Sequence, residues 1–123
     1  MRTILVVDDS QTMRRMIMAS LRELGDVRFD EASSGLEAIE RLAVAPIDLV
    51  LLDLNMPDVH GIEVLRFVRS HERFRELPVV VLTTRGDDES RDAALGEGAT
   101  RYLTKPFQPA TLAPEIRALL DAG

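Results

Sequence analysis

Leu49-Val50-Leu51-Leu52-Asp53 reads as a strand that ends in an acid. Four consecutive apolar residues make this the third strand of the chain and, by its hydrophobicity, a central one. Upstream, Ile4-Leu5-Val6-Val7 is a continuous apolar run of the kind buried on both faces of a parallel sheet. Between these runs, Met13, Met16, Ile17, Ser20, Leu21 and Leu24 mark one helix face, with Ser10 as its N-cap and Gly25 as its stop. Val27 to Glu31 is a more polar strand, expected at a sheet edge. Ser34 and Glu37 make a capping-box pattern for a second helix, expected to carry Leu36, Ile39 and Ala43 inward. Downstream, Ile62, Leu65 and Val68 mark a third helix, and Val79 to Leu82 the fourth strand. Asp88 to Glu97 is a weak fourth helix, Arg101 to Thr104 a short fifth strand, and Leu112, Ile116, Leu119 and Leu120 the last helix.

The alternation is (βα)5, which requires right-handed crossovers onto a parallel sheet. The fold class is α/β, doubly wound. Nothing is left over for a linker, a repeat or a second domain, so residues 1–123 are expected to form a single domain without an attached output domain. With 46% hydrophobic residues in 123, the chain can bury a proper core.

Composition narrows the function. Twenty-one acidic residues against fifteen basic ones give a net charge of −6, which argues against a nucleic-acid or anionic-membrane binder. The absence of cysteine excludes disulfides, thiolate zinc sites and thiol chemistry. His60 and His71 are too few for an all-histidine metal cage. No signal peptide or transmembrane pattern fits, and the expectation is a cytoplasmic domain. Of the fifteen basic residues, only Lys105 is a lysine, and the only tyrosine, Tyr102, lies three residues before it.

In an open α/β sheet, ligands bind beyond the carboxyl ends of the strands. Strand one ends in Asp8-Asp9, strand three in Asp53, strand four in Thr83-Thr84 and strand five in Thr104-Lys105-Pro106; the second strand offers nothing similar. Each residue has a plainer reading: an acid capping helix one, Asp53 opening a turn with Asn55-Met56-Pro57, Thr83 as a strand residue, Lys105 in a solvated loop. Crowding three acids at neighbouring strand ends nevertheless costs repulsion unless a cation relieves it. Oxygen ligands without Cys or His suit Mg2+ or Mn2+. A carboxylate beside such an ion can accept a phosphoryl group. Asp53 is the best acceptor candidate, since it stands alone on the central strand while Asp8 and Asp9 are paired.

Together, Val6-Val7-Asp8-Asp9-Ser10, Leu52-Asp53-Leu54-Asn55-Met56-Pro57 with Gly61, Leu82-Thr83-Thr84, and Gly98-Ala99 leading to Tyr102-Leu103-Thr104-Lys105-Pro106-Phe107 resemble the receiver domain of two-component response regulators. The resemblance spans the chain. Thr12-Met13-Arg14-Arg15, Leu21-Arg22-Glu23-Leu24-Gly25 and Ala110-Thr111-Leu112 look more narrowly like the stand-alone CheY type of chemotaxis regulators.

That resemblance implies strand order 2-1-3-4-5. It implies that Asp53 takes a phosphoryl group from a sensor histidine kinase (CheA-like) or a phosphotransfer domain. Mg2+ would be held directly by Asp9, Asp53 and the backbone carbonyl of Asn55, with Asp8 acting largely through water. Thr83 and Tyr102 would be the switch pair, Lys105 would salt-bridge the phosphoryl group, and the Lys105–Pro106 bond is often cis. Helix four, strand five and helix five would form the output surface for a downstream protein. Independently of the resemblance, a monomer is the simplest expectation.

Three departures stand out. Thr84 sits where the family often has a smaller residue. Asn55 and Arg85 occupy positions that, by the resemblance, would influence autodephosphorylation. Pro114 suits a first helical turn, so the last helix is expected to begin near Thr111 or to bend there. Three other readings share parts of the pattern. A phosphorylation-independent adaptor conflicts with the complete acid set. A haloacid-dehalogenase-type phosphatase would need an Asp-x-Asp motif and a cap. A flavodoxin would need a flavin-stacking tryptophan.

Overall fold

In this computed structural model, which describes residues 1–56, 58 and 60–122, strands and helices alternate along the chain. They are β1 (Arg2–Val7), α1 (Gln11–Leu21), β2 (Val27–Ala32), α2 (Gly35–Val44), β3 (Leu49–Leu52), α3 (Gly61–Ser70), β4 (Val79–Thr83), α4 (Asp88–Gly96), β5 (Arg101–Thr104) and α5 (Pro109–Ala122). The five strands are parallel in the order β2-β1-β3-β4-β5. The polar β2 is an edge strand, as its composition predicts, and β3 is the middle one.

Strand side chains alternate between two layers. Ile4, Val6, Leu49, Leu51, Val80 and Leu82 pack with Ile17 and Leu21 of α1 and Leu112 and Ile116 of α5. Leu5, Val7, Val50 and Leu52 point the other way, against Ala38 and Leu42 of α2 and Val64, Leu65 and Val68 of α3. Leu54, Val81 and Ala94 extend this second layer under α4. No helix among the described residues is long and apolar enough to cross a membrane.

The expected caps are present. Ser10 Oγ accepts from Met13 N at 3.2 Å, and Ser34 Oγ accepts from Glu37 N at 3.1 Å. The Glu37 carboxylate reaches back to Ser33 N rather than to Ser34. After α1, a 3-10 turn over Arg22–Leu24 buries Leu24, and Gly25 closes it at φ 84°. That left-handed value is open to glycine at little cost.

Three helix expectations are corrected. In α2 the inward residues are Gly35, Ala38 and Leu42, whereas Leu36 is 56% exposed, Ala43 is exposed and Ile39 is half-buried. Both triplets have the same spacing of three and four, so periodicity could not choose between them. The sheet accepts the face whose small leading residues allow close approach. Met16, expected on the buried face of α1, is 52% exposed; Ile17 and Leu21 take the contact. Finally, α5 begins at Pro109, two residues before Thr111, and Pro114 lies inside it. Pro109 suits the first helical position, where its missing N–H is not needed, and Thr111 N and Leu112 N both donate to Gln108 O. Pro114 removes the bond that Ala110 C=O would receive, on a face where both residues are exposed.

Candidate functional site: an acidic rim around one lysine

Asp8 leaves β1, Asp53 leaves β3, Thr83 ends β4, and Lys105 follows β5. The parallel register brings all four to the carboxyl edge of the sheet. Asp8, Asp53 and Thr83 are buried, and Asp9 is exposed. The two buried acids are held alike. Asp8 Oδ1 accepts from Ser10 N at 2.9 Å, and Asp53 Oδ1 accepts from Asn55 N at 3.1 Å. Each is an Asx turn closed two residues on. Their second oxygens face one cation: Lys105 Nζ lies 2.6 Å from Asp8 Oδ2 and 3.3 Å from Asp53 Oδ2, with the lysine side chain 8% exposed. The turn-forming reading is therefore true of one Asp53 oxygen, and Asp8, read as a cap of helix one, instead closes a turn onto Ser10, which does the capping; the other oxygen of each acid is turned toward the shared centre.

Asp8, Asp9 and Asp53 can each present an oxygen within 4.8 Å of the others. Three carboxylates against one ammonium leave the rim two charges negative, and an oxygen-only donor set fits a hard divalent ion.

The mouth of the site is crossed by polar side chains. Asn55 Nδ2 donates to Thr83 Oγ1 at 3.4 Å and to Thr84 Oγ1 at 3.2 Å. Arg85 Nε donates to Asn55 Oδ1 at 2.7 Å. Tyr102 O–H donates to Arg85 O at 2.5 Å, tying β5 to the loop that follows β4. Burial, and then the Asp87 carboxylate, raises the Tyr102 pKa above its ordinary value. Asp87 caps α4, and the Ser90 N–H and hydroxyl hold its carboxyl below the usual range. The Lys105–Pro106 bond is cis.

Gly61 has a local reason. A Cβ there would lie 2.6 Å from Asp53 O and 2.7 Å from Leu54 Cα, so only glycine lets α3 start against the Asp53 turn. Pro57 of the sequence motif lies outside the described residues. β2 acts on the rim only indirectly: Glu31 pairs with Arg14, whose NH1 donates to Asp8 O at 2.6 Å. Neither residue was singled out from the sequence. The acid at the end of β2 was the available signal, but it acts through an intermediary. Asp58 was also missed; its carboxylate accepts from Gly35 N and Leu36 N, joining the loop after β3 to the start of α2.

A family profile described as the response regulator receiver domain matches residues 4–117. The chain belongs to that family. Receivers of this kind are phosphorylation-driven components of two-component signalling, switches rather than turnover enzymes, and they bind Mg2+ through acidic residues such as those gathered here. Among similar proteins, chemotaxis protein CheY1 of Helicobacter pylori is 41% identical over 121 residues, covering 98% of both chains. A chemotaxis protein CheY homolog of Campylobacter jejuni is 36% identical, covering 98% of this chain and 93% of its own. The solved structure of chemotaxis response regulator CheY4 of Vibrio cholerae superposes with a TM-score of 0.88 at 33% identity, covering 97% of this receiver and 98% of that chain. As in any receiver, a histidine kinase and a downstream target are the implied partners.

Proposed function

We propose that this receiver is a single-domain chemotaxis-type switch spanning residues 1–123, cytoplasmic and monomeric, phosphorylated on Asp53 by a CheA-like histidine kinase or a phosphotransfer domain. A carboxylate oxygen of Asp53 attacks phosphorus in line as the P–N bond to the donor histidine breaks, leaving an acyl phosphate and an imidazole that takes up a proton. The Lys105 ammonium, placed between Asp8 and Asp53, can turn to a phosphoryl oxygen as a mobile point charge. Thr83 Oγ1 accepts from Asn55, which leaves its own proton to donate to a phosphoryl oxygen. Asp8, Asp9, Asp53 and the Asn55 carbonyl would hold Mg2+ (or Mn2+), which when bound neutralises charge on the transferring group.

Movement of Thr83 draws on the loop whose Arg85 carbonyl holds Tyr102, so the change reaches α4, β5 and α5, the proposed face for the target. Asn55 and Arg85, in contact at 2.7 Å, are placed to tune the lifetime of the acyl phosphate. The observation that carries the reading is the buried lysine shared by two strand-end carboxylates. Its test uses a kinase domain labelled on histidine. Label should pass to the wild type and not to Asp53→Asn; transfer to both at equal rate would reject Asp53 as acceptor.

A further inference from the structure

Arg14 is the fourth residue of α1, counting from Gln11. A cation in the first turn sits at the wrong end of the helix dipole. Arg15, next to it, is exposed, as a solvated arginine would be. Arg14 instead folds back toward the sheet, with its side chain only 11% exposed. One guanidinium nitrogen donates to Asp8 O at 2.6 Å and another donates to Glu31 Oε1 at 2.9 Å. Glu31 lies on β2, opposite Val6 of β1, and the following residue, Ala32, accepts from Asp8 N at 3.1 Å.

Asp8 is thus fixed from four directions: its N–H by Ala32, its carboxylate by Ser10 N and by Lys105, and its carbonyl by Arg14. The last bond has a different consequence from the others. The carbonyl of Asp8 and the nitrogen of Asp9 belong to one planar peptide. Holding that oxygen sets the plane from which Asp9 departs, and Asp9 is the exposed member of the acid cluster. We infer that Arg14, steadied by Glu31, is a positioning residue that orients the Asp8–Asp9 peptide for cation binding. This rests on the proposed cation role of the three acids.

The competing view, that Arg14 is only a nearby charge, predicts the opposite sign. Removing a cation beside three carboxylates should tighten Mg2+ binding, whereas loss of the peptide clamp should weaken it. Mg2+ alone is titrated calorimetrically into the full chain, with the Asp9 and Ser10 amide resonances followed in parallel and folding checked by circular dichroism. Arg14→Met should bind Mg2+ about tenfold more weakly, the lower end of what outer-shell partners contribute. Arg14→Lys should weaken it too, but less than Met: an ammonium can still donate to the Asp8 carbonyl but cannot hold carbonyl and carboxylate in one planar fork. Glu31→Gln should follow in the same direction, and Arg14→Lys, which keeps the charge, keeps the test alive if Arg14→Met does not fold. Normal wild-type binding with unchanged or tighter binding by folded Arg14→Met, or by Arg14→Lys should Met not fold, would overturn the role of Arg14 alone. No heat and no amide shifts in the wild type would overturn the cation site beneath it.

Discussion

At the amino edge of the sheet, charged side chains are occupied with backbone. Asp48 accepts from Thr3 N at 2.7 Å, and Arg69 donates to the carbonyls of Phe74, Arg75, Leu77 and Gly98 and to Thr100 Oγ1. At the carboxyl edge, Asp8, Asp53 and Lys105 meet one another. Of the four polar residues buried among those described, Thr83, Asp8 and Asp53 lie at the carboxyl edge and only Thr3 at the other. The first arrangement closes loops and leaves its charges saturated. The second holds like charges together around one cation, which is useful only if the charge balance is meant to change.

Removing the central cation should have the largest effect. Lys105→Met leaves two buried carboxylates facing each other, and urea unfolding should show a loss of about 3–5 kcal/mol. Millimolar Mg2+ should restore part of that stability by binding the folded state. An unchanged unfolding midpoint would mean that Lys105 does not hold the two carboxylates together.

The next prediction separates the edges. Arg69 lies partly buried, and burial lowers its pKa from the ordinary arginine value. Arg69→Met should cost about 2–3 kcal/mol by stranding carbonyls, while Asp53 phosphorylation proceeds at the wild-type rate in the folded protein. A matching loss of phosphorylation would show that the amino edge also serves the chemistry.

The smallest effect concerns Tyr102, which as the sole tyrosine titrates without overlap in ultraviolet absorbance. Its pKa should lie above the ordinary value of 10, through burial first and Asp87 second. A raised folded pKa means that the neutral phenol stabilises the fold below the ordinary value, a contribution lost as pH rises through the folded one. Asp87→Asn keeps the cap of α4 and should bring the midpoint down. A midpoint at or below 10 would contradict the packing of this ring.

Much of this was legible in the residues. Apolar runs such as Ile4 to Val7 can only be central strands, and the acids that end them announce the rim. Composition singled out the lone lysine and lone tyrosine, and only the resemblance to receivers gave them expected roles. What escaped was decided by tertiary partners. Two faces of α2 share one periodicity, and only the sheet distinguishes Ala38 and Leu42 from Leu36 and Ala43. Pro109 and Pro114 both suit a helix start, and the Gln108 carbonyl contacts select the first. Arg14 reads as one of two adjacent surface arginines until β2 brings Glu31 beside it.

The carboxyl-edge acids are proposed as a phosphoryl-accepting device and not a static ion network. Intact mass after incubation with a small acyl phosphate tests it most directly, with and without Mg2+, on wild type and Asp53→Asn, beside a fluoroberyllate mimic that occupies the site without turnover. The expected result is a single phosphoryl adduct, or the bound mimic if hydrolysis outruns detection, that requires both Mg2+ and Asp53. An adduct that persists in Asp53→Asn, or a wild type that takes neither phosphoryl group nor mimic, would contradict it.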